Sequence, residues 1–224
     1  MIHQLLFSDL GNMDYQQAWD YQETLFQELI KNKVDRNDAG HLLFVEHPHV
    51  YTLGKSGSET NLLVNEDFLR SKGASFYRIN RGGDITYHGP GQIVGYPIIN
   101  LDRFDIGVRE YISRLEEAVI RTLEQFDILA SRLEGATGVW LDPEVKGNSR
   151  KICAIGVRAS RGVTMHGFAF NVNTDLRFYD YINPCGFTDR GVTSMEKELG
   201  SAQDINQVKA SLKISLAQVF GCVI

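Results

Sequence analysis

Residues 151–172 read KICAIGVRASRGVTMHGFAFNV, and this run admits few local structures other than a two-stranded hairpin. Both halves are rich in β-branched and aromatic residues, and neither contains proline. The turn signal Ala159-Ser160-Arg161-Gly162 lies between them. Period-2 counting places Ala154 and Gly156 on one side of the first strand, and Gly167 and Ala169 on one side of the return strand. Pairing those sides makes a shallow strip nearly free of side chains. Such a strip accepts a flat or linear ligand, or it packs beneath a helix; spacing does not choose between them. Strict alternation also puts Lys151 on the face opposite Ala154 and Gly156. Lys151 must precede regular pairing, or the strand must twist or bulge there.

The chain continues to Asn183-Pro184-Cys185-Gly186. Pro184 fixes its own φ and biases Asn183 toward extended backbone, and Gly186 leaves room beside the sulfur. This is a rigid mount for a thiol.

A chain of 224 residues suits one large α/β domain, spanning residues 1–224, with 186–224 as a small C-terminal lobe. The apolar runs are too short to span a bilayer. The start, Met1-Ile2-His3-Gln4, has neither a signal-peptide nor a transit-peptide pattern. Three cysteines, 153, 185 and 222, lack metal-ligand spacing, so a reducing cytoplasm is expected. A net charge of −5 argues against nucleic acid as a partner. Basic residues gather nonetheless in 70–103 (Arg70, Lys72, Arg78, Arg81, Arg103) and in 141–161 (Lys146, Arg150, Lys151, Arg158, Arg161). A basic rim that receives acidic partners is the expectation.

In chain order, residues 2–9 read as a strand. A helix capped by Asn12 or Asp14 follows, its stripe formed by Tyr15, Ala18, Trp19, Leu25, Phe26, Leu29 and Ile30, with Gln22 outside the core. Lys31–Gly40 is a charged loop. His41–Glu46 is a strand leading to His47 and His49, which have no third ligand at metal spacing. A short helix covers Glu66–Lys72 and a strand Ala74–Asn80. Arg81–Gln92, RGGDITYHGPGQ, reads as a glycine-rich ligand loop before the strand Ile93–Leu101. It lacks the Gly-Lys-Ser/Thr ending of a phosphate loop and precedes a strand, so it is not a nucleotide fingerprint. Val108–Phe126 is a second long helix. Ile128–Leu133, Gly138–Leu141 and Val145–Asn148 read as short strands, 191–195 as a loop, and Ala202–Phe220 as the last helix.

A free thiol titrates near 8.5, and a nearby ammonium favours the thiolate. Lys151 is one candidate partner for Cys185; His88 and His166 are rivals. Cys153 and Cys222 read as structural.

The runs RGGDITYHGPGQIVGYP, KICAIGVRASRGVTMHGFAFNVN and INPCG, with EHPHVYTLG and GVW, resemble the octanoyltransferases of lipoate biosynthesis. The similarity runs from about residue 40 to Cys185. It implies a mixed β-sheet flanked by helices, like the catalytic domains of biotin- and lipoate-protein ligases. It implies Cys185 as acyl-thioester nucleophile and Lys151 as the residue that lowers its pKa. It implies an acyl site lined by Arg81, Gly82, Gly83, Asp84, Ile85, Thr86, Tyr87, His88, Ala154, Ile155, Gly156, Gly167, Phe168 and Ala169. The donor it implies is octanoyl-acyl carrier protein. The implied acceptors are lipoyl domains of 2-oxoacid dehydrogenase E2 subunits and the glycine cleavage H protein. No cofactor, metal, nucleic acid or membrane is implied, and ATP is not needed for thioester exchange followed by amide formation. An oxyanion hole from backbone N–H groups near Cys185 or the glycine loop is expected. An ATP-dependent ligase, a cysteine hydrolase and a non-catalytic acyl-binding module are the competing readings.

Overall fold

A computed structural model describes residues 3–32, 39–183 and 190–224. The Pro184-Cys185-Gly186 mount and most of the charged loop 31–40 lie outside the described residues.

The chain opens with β1 (His3–Gln4) and β2 (Leu6–Asn12). Asp14 then caps α1 (Tyr15–Lys31) by accepting the Gln16 and Gln17 N–H groups. The apolar stripe of α1 buries Ala18, Leu25, Phe26 and Leu29. Each large side chain buried there contributes about 1.5–3 kcal/mol. Gln22 is also fully buried, contrary to its expected place outside the core. Its Oε1 accepts the N–H of His166, so hydrogen bonding rather than hydropathy places it inside.

Next come β3 (Gly40–Glu46), β4 (Val50–Leu53), α2 (Glu66–Ser71) and β5 (Ser75–Arg78). The glycine-rich segment is not one loop. Its middle forms β6 (Ile85–His88), which pairs antiparallel with β4, while β7 (Gln92–Ile99) belongs to another sheet. The β-branched and aromatic run Ile85-Thr86-Tyr87 explains the strand.

After α3 (Val108–Glu124) come β8 (Ser131–Leu133), β9 (Ala136–Leu141), β10 (Arg150–Ser160) and β11 (Val163–Asn171). Residues 145–148 are not a strand. They form turns closed by Val145 N–H to Asp142 O and Ser149 N–H to Val145 O, with Gly147 at φ +83°. The chain ends with β12 (Gly191–Val192), α4 (Met195–Leu199), α5 (Ile205–Phe220) and β13 (Cys222–Val223).

A large mixed sheet runs β2-β3-β7-β11-β10-β9-β8, with β12 beside β10. A smaller sheet runs β5-β4-β6. Alternation gives the large sheet two apolar faces. Leu42, Phe44, Ile93, Phe168 and Phe170 face α3 and α5; Leu43, Val45, Val94, Tyr96 and Met165 face α1. Met195, Val208, Leu212, Leu216 and Phe220 share the first of these cores, and β13 pairs with β1. The C-terminal segment is thus part of the main body rather than a lobe of its own.

Candidate active site

The hairpin β10–β11 turns through Arg161 and Gly162, at φ +52° and +74°, a two-residue turn with both residues left-handed. Its register sets Ala154 opposite Ala169 and Gly156 opposite Gly167. Among the described residues no helix covers this strip. The glycine loop lies over it instead, with Gly82 N–H donating to Val157 O at 2.9 Å. A Cβ on Gly156 would fall 2.8 Å from Gly82 O and 3.0 Å from Arg81 Cδ. Gly167 is equally close to the neighbouring strand, where a Cβ would stand 2.1 Å from Gly95 O and 2.7 Å from Pro97 Cδ. Gly167→Ala is therefore expected to lower stability by about 1–3 kcal/mol, read as a fall in the urea midpoint. An unchanged midpoint would mean that β7 and β11 part without cost.

Strip and loop enclose a cavity of about 590 Å³. That falls within the roughly 300–1,000 Å³ range of small-molecule sites. Arg81, Gly82, Gly83, Asp84, Ile85, Thr86 and His88 line it from the loop and β6; Ala154, Ile155, Gly156, Gly167, Phe168 and Ala169 line it from the hairpin. Tyr87 is not among the lining residues. It points to the other face of β6, where its ring stacks on Phe178 and its hydroxyl reaches His49 Nδ1 at 2.7 Å.

Lys151 lines the same cavity, and the reason is a bulge. Lys151 pairs with Trp140 and Cys153 with Val139, so Ile152 is an extra residue in β10. Ile152 and Cys153 both enter the α3-side core, and Lys151 and Ala154 both open onto the cavity. The Lys151 ammonium lies 4.6 Å from the centroid of the buried Trp140 ring; the Arg190 guanidinium carbon lies 5.6 Å from it.

The loop above is tied down at several points. Arg81 is buried and donates through Nη2 to Thr52 O at 2.7 Å and Thr52 Oγ1 at 3.0 Å. Asp84 accepts from Asn61 Nδ2 and from the Ile85 N–H. Asn61 O in turn accepts the Asn183 N–H at 2.8 Å, joining the loop to the residue before Pro184. In the glycine loop, one of the two expected sources of oxyanion donors, the Gly82 N–H is committed to Val157 O.

Tyr15, Trp140, Asn171, Tyr179 and Arg190 also line the cavity. Sequence reasoning had Tyr15 only as helix packing and did not single out Asn171 or Tyr179. Asn171 follows the hairpin at a register position beside Gln92, and Gln92 Nε2 donates to its Oδ1 at 2.9 Å.

Three buried histidines are held neutral. His47 sits between Met13 O at 2.8 Å and the Tyr96 hydroxyl at 2.8 Å, His88 Nδ1 faces Gln92 Oε1 at 2.9 Å, and His166 Nε2 faces Asn80 Oδ1 at 2.7 Å. Burial, more than any other cause, lowers them to about 4, about 3 and about 3 respectively. An unfolded histidine titrates near 6.5. Below that pH the unfolded chain takes up protons that the folded chain refuses, so stability falls as pH falls toward 3–4. The expected slope is about 1.4 kcal/mol per pH unit for each such histidine. Urea midpoints should drop between pH 7 and pH 5, and His88→Gln should shallow that dependence. Equal midpoints at both pH values would contradict neutral burial.

Burial also holds the Cys153 thiol well above its ordinary range and pushes Cys222 up to about 11. Both are unreactive thiols at neutral pH. The expected basic rim is much reduced. Arg158 pairs with Glu23 at 2.9 Å and lies over Phe26, and Arg150 pairs with Glu198 and Asp142. Arg70 and Arg78 pair with Asp67 and Glu59.

Residues 14–217 match the family model described as the lipoyl protein ligase A/B catalytic domain. An octanoyltransferase of Parabacteroides distasonis is 54% identical over 215 residues, 96% of this chain and 97% of the relative. An octanoyltransferase of Flavobacterium johnsoniae is 54% identical over 228 residues, covering 98% of both. The chain belongs to the octanoyltransferase family of lipoyl protein ligase A/B catalytic domains. An octanoyltransferase is an acyltransferase, and its place is in lipoate biosynthesis. Among solved structures, lipoate-protein ligase A bound with ATP superposes with a TM-score of 0.73 at 17% identity, over 100% of this chain and 87% of the other. A bipartite lipoate protein ligase from Thermoplasma acidophilum gives 0.72 at 17%, over 98% and 84%. These two likenesses establish that the octanoyltransferase shares the ligase fold, a mixed sheet flanked by helices. No helix among the described residues is long and apolar enough to cross a membrane.

Proposed function

We propose that this octanoyltransferase takes octanoate from the phosphopantetheine thioester of acyl carrier protein onto Cys185, then passes it to one lysine of a lipoyl domain. The lipoyl domains are those of 2-oxoacid dehydrogenase E2 subunits and the glycine cleavage H protein, and the reaction runs in the cytoplasm. The observation that carries the reading is the placement of Lys151, brought by the bulge into the cavity that holds the Ala154/Gly156–Gly167/Ala169 strip.

The acyl chain lies in the cavity between Lys151 and the strip, beside Ala154 and Ala169; the glycine loop and β7 fill the space next to Gly156 and Gly167. Phe168, Ile155 and Ala169 give it apolar walls. In the first step the Cys185 thiolate attacks the donor carbonyl, a carbon–sulfur bond forms, and the pantetheine thiolate leaves and is protonated. The exchange of one thioester for another is nearly balanced. In the second step the acceptor amine attacks, an amide forms, Cys185 leaves as thiolate, and the amine proton goes to Lys151 in its neutral form. Amide formation from a thioester is downhill, so no nucleotide is consumed.

The test combines octanoyl carrier protein, a lipoyl domain and the enzyme without ATP, and follows the intact masses of all three. The acceptor should gain one octanoyl group as the donor loses it. Release of free octanoate would indicate a hydrolase. Transfer only from free octanoate plus ATP would indicate a ligase.

A further inference from the structure

Glu116 stands on α3 next in sequence to the core residue Leu115, at the edge of the core, and is itself buried. A carboxylate in such a place is costly unless its oxygens are matched. Oε2 accepts from Arg132 Nε at 3.2 Å, and Oε1 accepts the backbone N–H of Gly138 at 2.9 Å.

Gly138 is held at φ +122°. Its missing Cβ would lie 2.5 Å from Cys153 O and 3.4 Å from both Cδ and Cε of Lys151. The stem of Lys151 therefore runs along the bare side of Gly138. Two residues later the Trp140 ring lies beneath the ammonium, its Nε1 donating to Ala136 O at 2.9 Å. Opposite the bulge, Gly138, Val139 and Trp140 form a shelf, and Glu116 is its polar tether to helix α3.

We propose that Glu116 is a positioning residue: by accepting the Gly138 N–H it fixes the shelf along which Lys151 extends into the cavity. The catalytic part of this inference rests on the role proposed for Lys151; the geometric part does not.

The experiment reads both. Reductive 13C-methylation leaves lysines cationic, and the Lys151 signal, assigned by its loss in Lys151→Arg, should be shifted upfield by the Trp140 ring. Glu116→Gln keeps an acceptor for the Gly138 N–H, so it should keep that shift and transfer within about threefold of the native rate. Glu116→Met fills the space without an acceptor. It should keep native circular dichroism, lose the upfield shift, and lower kcat on the order of 10²-fold, with KM for carrier protein unchanged. In a Lys151→Ala background it should add no further loss. If Glu116→Met does not fold, Glu116→Asp, too short to reach Gly138, reads the same two quantities. A folded Met or Asp variant that keeps the shift overturns the proposal, as does a Gln variant as impaired as Met. If Lys151→Ala alone transfers at the native rate, the role proposed for Lys151 fails, while the shift still reports whether Glu116 places it.

Discussion

Cys185→Ala is expected to abolish the acyl-enzyme. Incubated with octanoyl carrier protein, the unmodified chain should gain one octanoyl mass that hydroxylamine removes, and the variant none. Transfer to the lipoyl domain should fall by about 10⁴-fold or more, the scale seen when an enzyme loses its nucleophile. The other two thiols give little scope for rescue. Cys153 lies wholly inside the α3-side core, where burial disfavours its thiolate, and Cys222 is buried and raised in the same sense. A hydroxylamine-labile adduct that survives Cys185→Ala, or that maps to Cys153, overturns the covalent route.

Lys151 separates two duties in a second experiment. If it acts by charge alone, Lys151→Arg keeps a cation at position 151, and the Cys185 thiol should titrate as in the unmodified chain. If it also removes the acceptor's proton, arginine fails, because a guanidinium stays protonated at any working pH. Lys151→Arg should thus load Cys185 at a substantial rate but discharge it about 10²–10⁴-fold more slowly, so the octanoyl adduct accumulates. Lys151→Ala should slow both steps, and iodoacetamide should titrate its thiol at a higher pKa. A thiol pKa unchanged in Lys151→Ala removes Lys151 from the mechanism. The rival bases would then be His88 and His166, both weakened by burial to about 3.

The hairpin was legible in the sequence because its logic is local. Two-fold alternation sets Ala154 with Gly156 and Gly167 with Ala169 without knowledge of the rest of the chain, whereas the exact pairs 154–169 and 156–167 depend on the turn falling at Arg161-Gly162 rather than over the whole of 159–162. The long helices were legible for the same reason, through their 3.6-residue stripes. What covers the strip was not, since the contact between Gly82 and Val157 joins residues distant in sequence and leaves no periodic trace. Gln22 was misplaced because hydropathy cannot see a backbone N–H arriving from β11. The basic rim was overstated because charge counted along a segment omits partners such as Glu23 and Glu198, which come from elsewhere. β6 was hidden by the glycines around it, whose turn signals outweigh a four-residue strand.

Ile152 carries no functional group, yet it decides which compartment a lysine inhabits. A pleated strand keeps parity: every residue inserted or removed exchanges inside for outside for all that follow. With the bulge at Ile152, an ammonium and a thin ligand groove share one side of the sheet; paired regularly, the same letters would send that ammonium into the α3-side core that holds Phe170. The diagnostic content of the KICAIG run therefore lies in an interval rather than in a letter. A chain that keeps both the lysine and the Ala-x-Gly step, but spaces them one residue closer, would hold them on one side with no bulge at all.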